Sequence, residues 1–62
     1  MGLHIHLVDD HKLFRQGLKM LIENIPNVEK ITESDNGREF IDSLKTSIPD
    51  LVLMDIEMPV LN

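Results

Sequence analysis

The chain has 62 residues, which allows one small domain at most, and a domain of that length removes only about 60% of its unfolded surface from water. Hydrophobic residues make up 42% and charged residues 27%, as in folded soluble chains, and no apolar run approaches the ~20 residues that a membrane helix needs. Six basic against eleven acidic residues leave a net charge of -5, a field that repels nucleic acid and draws cations or basic partners, so direct nucleic-acid binding is not expected.

The opening Met1-Gly2-Leu3-His4 lacks the basic start and apolar stretch of a signal peptide, and there is no cysteine for a disulfide or thiolate site. A cytoplasmic location is expected. Leu3 to Val8 reads as a strand, with Leu3, Ile5 and Leu7 on one face and His4, His6 and Val8 on the other. Asp9 and Asp10 end it. From Lys12 to Ile25 the residues Phe14, Leu18, Leu21, Ile22 and Ile25 recur at helical intervals, and Pro26 stops the helix because it lacks an amide proton and crowds the preceding turn. A second strand from Lys30 to Ser34 is polar enough to lie at a sheet edge. Asp35-Asn36-Gly37 is turn chemistry, and Asn36 with Glu39 has the spacing of a capping box, opening a helix that runs to about Thr46 and buries Phe40, Ile41 and Leu44. After the break at Ile48-Pro49-Asp50, the uninterrupted apolar run Leu51-Val52-Leu53-Met54 suits a parallel strand covered on both faces.

Strand, helix, strand, helix, strand with short connections implies an α/β unit with right-handed crossovers and a parallel sheet. The sheet orders 1-2-3 and 2-1-3 are both open, and the polarity of the second strand favours 2-1-3. Strands one and three are then neighbours ~4.8 Å apart, and ligands of open α/β sheets bind beyond the carboxyl ends of the strands where the winding reverses. Asp9 and Asp10 at the end of one strand and Asp55 at the end of the other should share that crevice. Crowded carboxylates either push up one pKa or bind a hard cation, and Mg²⁺ suits them because it takes one or two carboxylates and keeps several waters.

The stretch Val8-Asp9-Asp10-His11-Lys12-Leu13-Phe14-Arg15-Gln16-Gly17-Leu18 resembles the opening of two-component response-regulator receiver domains, especially those of regulators with a helix-turn-helix of the NarL/LuxR type. Pro49-Asp50-Leu51-Val52-Leu53-Met54-Asp55-Ile56-Glu57-Met58-Pro59 is similar to the segment around the phosphoacceptor of the same family, and Ser34-Asp35-Asn36-Gly37 sits at its turn after the second strand. The resemblance implies a flavodoxin-like fold. It also implies that Asp55 accepts phosphate from a sensor histidine kinase, that Asp10 binds Mg²⁺ directly and Asp9 through water, and that Glu57 coordinates the metal through its backbone carbonyl. Met58-Pro59 would shape the loop that presents that carbonyl. The family's later Ser or Thr, Lys and switch aromatic, and any output domain, find no counterpart in residues 1–62. The expectation is therefore a truncated receiver, the phosphoacceptor part of a signalling regulator but not competent to signal alone, and not an enzyme.

Other readings weigh against the site. Asp9 or Asp10 could cap the first helix, and Asp55 alone could be an ordinary strand-end residue. The three together favour the site. An aspartate-nucleophile phosphatase or phosphotransferase, suggested by Asp55-Ile56-Glu57, would want groups not found downstream. His4 and His6 share a strand face, the arrangement of a transition-metal pair, but polar or half-buried imidazoles are preferred and no function is assigned. His6 stands where the family has an apolar residue, so burial would demand a hydrogen-bond partner. His11 should be exposed at the rim of the crevice. Met20, Met54 and Met58 read as packing, and Lys12, Arg15 and Lys19 as a solvated face, from which Arg15 or Lys12 could touch a kinase. Three strands and two helices leave apolar surface uncovered and strand three at an edge, so a self-associating structural fragment is the alternative, most simply a twofold homodimer.

Overall fold

The computed structural model describes residues 2–54. Over that span the chain forms β1 (Leu3–Val8), α1 (Lys12–Glu23), β2 (Val28–Ser34), α2 (Gly37–Ser43) and β3 (Leu51–Met54). The sheet is parallel in the order β2-β1-β3, as the polarity of the second strand predicts. β1 pairs with β2 from His4 opposite Lys30 to Val8 opposite Ser34, and with β3 from Ile5 opposite Leu51 to Val8 opposite Met54.

Alternation along β1 divides the molecule into two unlike layers. Ile5 and Leu7 are buried against Ile22 of α1, with Leu18, Val28 and Ile31 packed around them. On the opposite face His6 is buried beneath α2, its ring 5.1 Å from that of Phe40. The helices thus cover opposite faces, as successive right-handed crossovers of a 2-1-3 sheet require.

Several boundaries and faces differ from expectation. α1 ends at Glu23 rather than Ile25, because its last amides switch to three-residue bonds: Asn24 N donates to Leu21 O and Ile25 N to Ile22 O. The residue before a proline is disfavoured in the helical region, so the coil cannot run on into Pro26. Asn27 then takes a left-handed conformation with φ 79°, and Val28 pairs with Leu3, which starts β2 two residues before Lys30. α2 ends at Ser43 rather than about Thr46. The Ser43 hydroxyl donates to Phe40 O at 2.6 Å, and residues 44–46 continue only as turns closed by three-residue bonds.

The predicted apolar stripes are wider than the faces that are covered. Of the α1 stripe, Leu18 and Ile22 meet the sheet, whereas Phe14, Leu21 and Ile25 are exposed, as is Ile41 of α2. A helix lying on a sheet of three short strands touches it along a single row. No helix among the described residues is long and apolar enough to cross a membrane.

Candidate functional site

β1 runs out at Val8, and the next three residues turn across the carboxyl edge of the sheet. Asp9 is buried, and its backbone amide still donates to Ser34 O of β2, extending the ladder by one bond. Its carboxylate turns forward and accepts from the His11 amide at 2.8 Å. Neither acid caps α1: the capping position is His11, which makes no side-chain cap bond, and the helix opens with Arg15 N donating to His11 O.

One ligating atom from each of Asp9, Asp10 and His11 lies within 4.8 Å of the others. The His11 Nδ1 is 3.4 Å from Asp9 Oδ1 and 3.1 Å from Asp10 Oδ1, and the imidazole is largely exposed at the rim, as expected. Asp9 and Asp10 thus meet in one place, a buried acid beside an exposed one. Two carboxylates at the end of a strand are the hard oxygen donors that Mg²⁺ takes, with waters completing its shell, so the residues fit that ion. The His11 nitrogen is a less suitable donor for it. Asp55, Glu57, Met58 and Pro59 lie outside the described residues.

Arg15 overturns an expectation. The sequence puts it on a solvated face, yet it is 9% exposed and lies beneath the acidic turn. Its Nη1 donates to Asp9 O at 2.6 Å, to Ser34 O at 2.9 Å and to Asp35 Oδ1 at 2.6 Å, while Nε donates to Glu33 Oε1 at 3.0 Å. One side chain therefore ties the ends of β1 and β2 to α1. Burial works against the charged guanidinium, but the hydrogen bond and charge of Asp35, joined by Glu33, outweigh it and raise its pKa. In return the Arg15 hydrogen bond holds the Asp35 carboxyl below the usual range despite some desolvation, with the charges of Arg15 and Lys12 adding to the effect. Lys19 is also drawn in, its Nζ 3.5 Å from Glu33 Oε2. The signal for Arg15 was present: residues 15, 18 and 22 share one helical face, and Glu33 and Asp35 flank the end of β2.

The two strand histidines share a face, and a transition-metal pair finds no support there. His4 Nε2 lies 2.8 Å from Thr32 Oγ1, His6 Nδ1 lies 2.6 Å from the same oxygen, and His6 Nε2 lies 2.6 Å from Ser34 Oγ. The partner that buried His6 needs is supplied by β2. Burial pushes the His6 pKa down, the nearby His4 lowers it further, and Glu33 opposes them weakly.

An open apolar groove of about 860 Å³ adjoins the acidic turn between α1 and β3, lined chiefly by Leu7, Val8, Leu13, Phe14, Leu18 and Leu53, with Asp9 and His11 at its rim. The uncovered apolar surface anticipated from the sequence is found here among the described residues.

Comparison with known proteins places these features in context. The profile of the family described as "Response regulator receiver domain" matches residues 5–62. The nitrate/nitrite response regulator protein NarL of Escherichia coli (strain K12) is 40% identical over 58 residues, covering 94% of this chain and 27% of that protein. The transcriptional regulatory protein DegU of Brevibacillus brevis is 35% identical over 60 residues, 97% of this chain and 25% of that protein. A protein-glutamate methylesterase/protein-glutamine glutaminase of Desulfotalea psychrophila is 42% identical over 61 residues, 98% of this chain and 17% of that protein. The chain thus spans about a quarter or less of the length of these relatives. No solved structure matches it. The enzyme name corrects the expectation that the chain is not an enzyme: this segment recurs in proteins named as enzymes as well as in proteins named as regulators. The physical reason is modular, since a receiver is a folding unit that can be joined to unrelated effector units, and its own residues do not report which.

Proposed function

The chain belongs to the response regulator receiver family, and from that premise we propose that it is a phosphoacceptor module in which Asp55 takes a phosphoryl group from the phosphohistidine of a sensor histidine kinase. The Asp55 carboxylate, anionic at neutral pH, forms the new O–P bond as the N–P bond of the donor breaks, and it needs no base to do so. Asp9 and Asp10 would hold Mg²⁺ together with the backbone carbonyl of Glu57 and the Asp55 carboxylate, Asp10 directly and Asp9 through water. Bound there, the ion offsets the charge of the phosphoryl oxygens. Transfer from such a kinase goes with a cytoplasmic location.

The observation that carries this reading is the register between β1 and β3. Val8 stands opposite Met54 in a parallel pair, and in sequence Asp9 and Asp55 each come directly after one member of that pair. The test is intact mass after incubation with acetyl phosphate and Mg²⁺. An adduct of one phosphoryl group that is lost in Asp55→Asn supports the reading; no adduct, or one that persists in Asp55→Asn, overturns it.

A second reading is favoured by the exposed groove and by β3, which pairs only with β1 among the described residues and leaves Leu51, Leu53 and Met54 exposed. In it, the chain associates with a second copy through β3, most simply as a twofold homodimer. Light scattering at micromolar concentration tests it: a dimer mass is expected, and a monomer mass would refute it.

A further inference from the structure

We infer that Arg15 is a positioning residue for the magnesium-binding acids, setting the backbone that carries Asp9 and Asp10 from below; this rests on the magnesium reading above. The geometry is specific. Residue 9 is held at each of its polar groups: its amide by Ser34 O, its carboxylate by the His11 amide, and its carbonyl by Arg15 Nη1 at 2.6 Å. That carbonyl belongs to the peptide plane leading into Asp10, so the guanidinium fixes the direction from which the second acid departs. The same nitrogen grips Ser34 O at 2.9 Å, which keeps the plane in register with the end of β2.

A cation placed beneath a cation site would ordinarily weaken it. Here Asp35 at 2.6 Å and Glu33 at 3.0 Å set two carboxylates against one guanidinium, so Arg15 can hold the turn without adding net positive charge beneath Asp9 and Asp10. A guanidinium suits this role because its planar fork serves carbonyls and carboxylates together, which one ammonium cannot do in the same geometry. Groups that orient the ligands of a metal are worth about ten- to a hundredfold in affinity.

The experiment is a Mg²⁺ titration of the 62-residue chain followed by NMR at the Asp10 amide and the Arg15 Nε, beside urea unfolding of each variant. In the unsubstituted chain both resonances should move with a single midpoint, and Asp10→Asn should abolish the response. Arg15→Gln should weaken Mg²⁺ by about tenfold and Arg15→Lys by less, while Ile22→Val, which loosens the core without touching residue 9, should leave the affinity of the folded protein unchanged. Unaltered affinity in a folded Arg15→Gln overturns the inference alone. Should Arg15→Gln not fold, an Arg15 resonance that stays still while Asp10 saturates overturns it equally. No saturable response in the unsubstituted chain, or one that survives Asp10→Asn, overturns the magnesium reading and the inference with it.

Discussion

The imidazole of His6 is buried with Nε2 2.6 Å from the Ser34 hydroxyl, while its Nδ1 shares the Thr32 hydroxyl with His4. Burial and His4 lower its pKa in the folded chain below the ordinary 6.5. From about pH 6.5 down to the folded value, the unfolded chain takes up a proton that the folded chain refuses, so stability falls as the pH falls through that window. The urea midpoint should therefore be lower at about pH 5.5 than at about pH 7.5. His6→Leu should flatten that slope; a slope that survives the substitution places the titrating group elsewhere.

Leu7 is 1% exposed and is a centre of the aliphatic layer, whereas Leu13 on α1 is 84% exposed. Leu7→Ala should cost about 3 kcal/mol through lost burial and the cavity left behind. Leu13→Ala should change stability by less than about 0.5 kcal/mol. Equal costs in urea unfolding would mean that Leu13 is covered in solution.

Asn27 joins α1 to β2 at φ 79°, a region that a side chain with a Cβ enters at a cost unless it is Asn or Asp. Asn27→Ala is expected to destabilise by about 1 kcal/mol and Asn27→Gly to be neutral or slightly favourable. Thermal unfolding of the pair should show that order; the reverse order would mean that the Asn27 side chain matters more than its backbone.

Asn36 Oδ1 accepts the Glu39 amide at 2.9 Å, and Glu39 Oε1 reaches back to the Asp35 amide at 2.9 Å. Asn36→Ala should cost about 1 kcal/mol, and Asn36→Asp, which keeps the acceptor and adds negative charge at the helix start, should not. Amide exchange at Glu39 is the local readout, faster in Asn36→Ala and unchanged in Asn36→Asp.

Much of this was legible because period and punctuation agree. The alternation of Leu3 to Val8 and the pairing of Asn36 with Glu39 each have one local cause, and the structure follows them, while α1 closes at Glu23, two residues before the expected end at Ile25. The polar composition of β2 told its place at the edge. What could not be read was which part of an amphipathic surface meets something: Phe14, Leu21 and Ile41 carry the right period and are exposed, because period gives direction but not the extent of the opposing layer. Arg15 was misplaced for the converse reason. A positive charge on a helix argues for solvent until the acids of another element, Glu33 and Asp35, are brought against it, and that is tertiary information. In the site, the meeting of Asp9 and Asp10 was read from their adjacency, whereas Asp55 and Glu57 fall outside the described residues.

The unlike layers of β1 also bear on how the chain finds its pairing. Sliding β1 by one position against β2 would drive imidazoles among aliphatic side chains and is forbidden by solubility alone, but a slide of two keeps every apolar group on its own side. The match of His6 to Thr32 and Ser34 counts against one of those slides, the one that would bring Lys30 opposite His6. The histidines on this strand therefore serve as a key against that slide, which greasy contacts alone would accept.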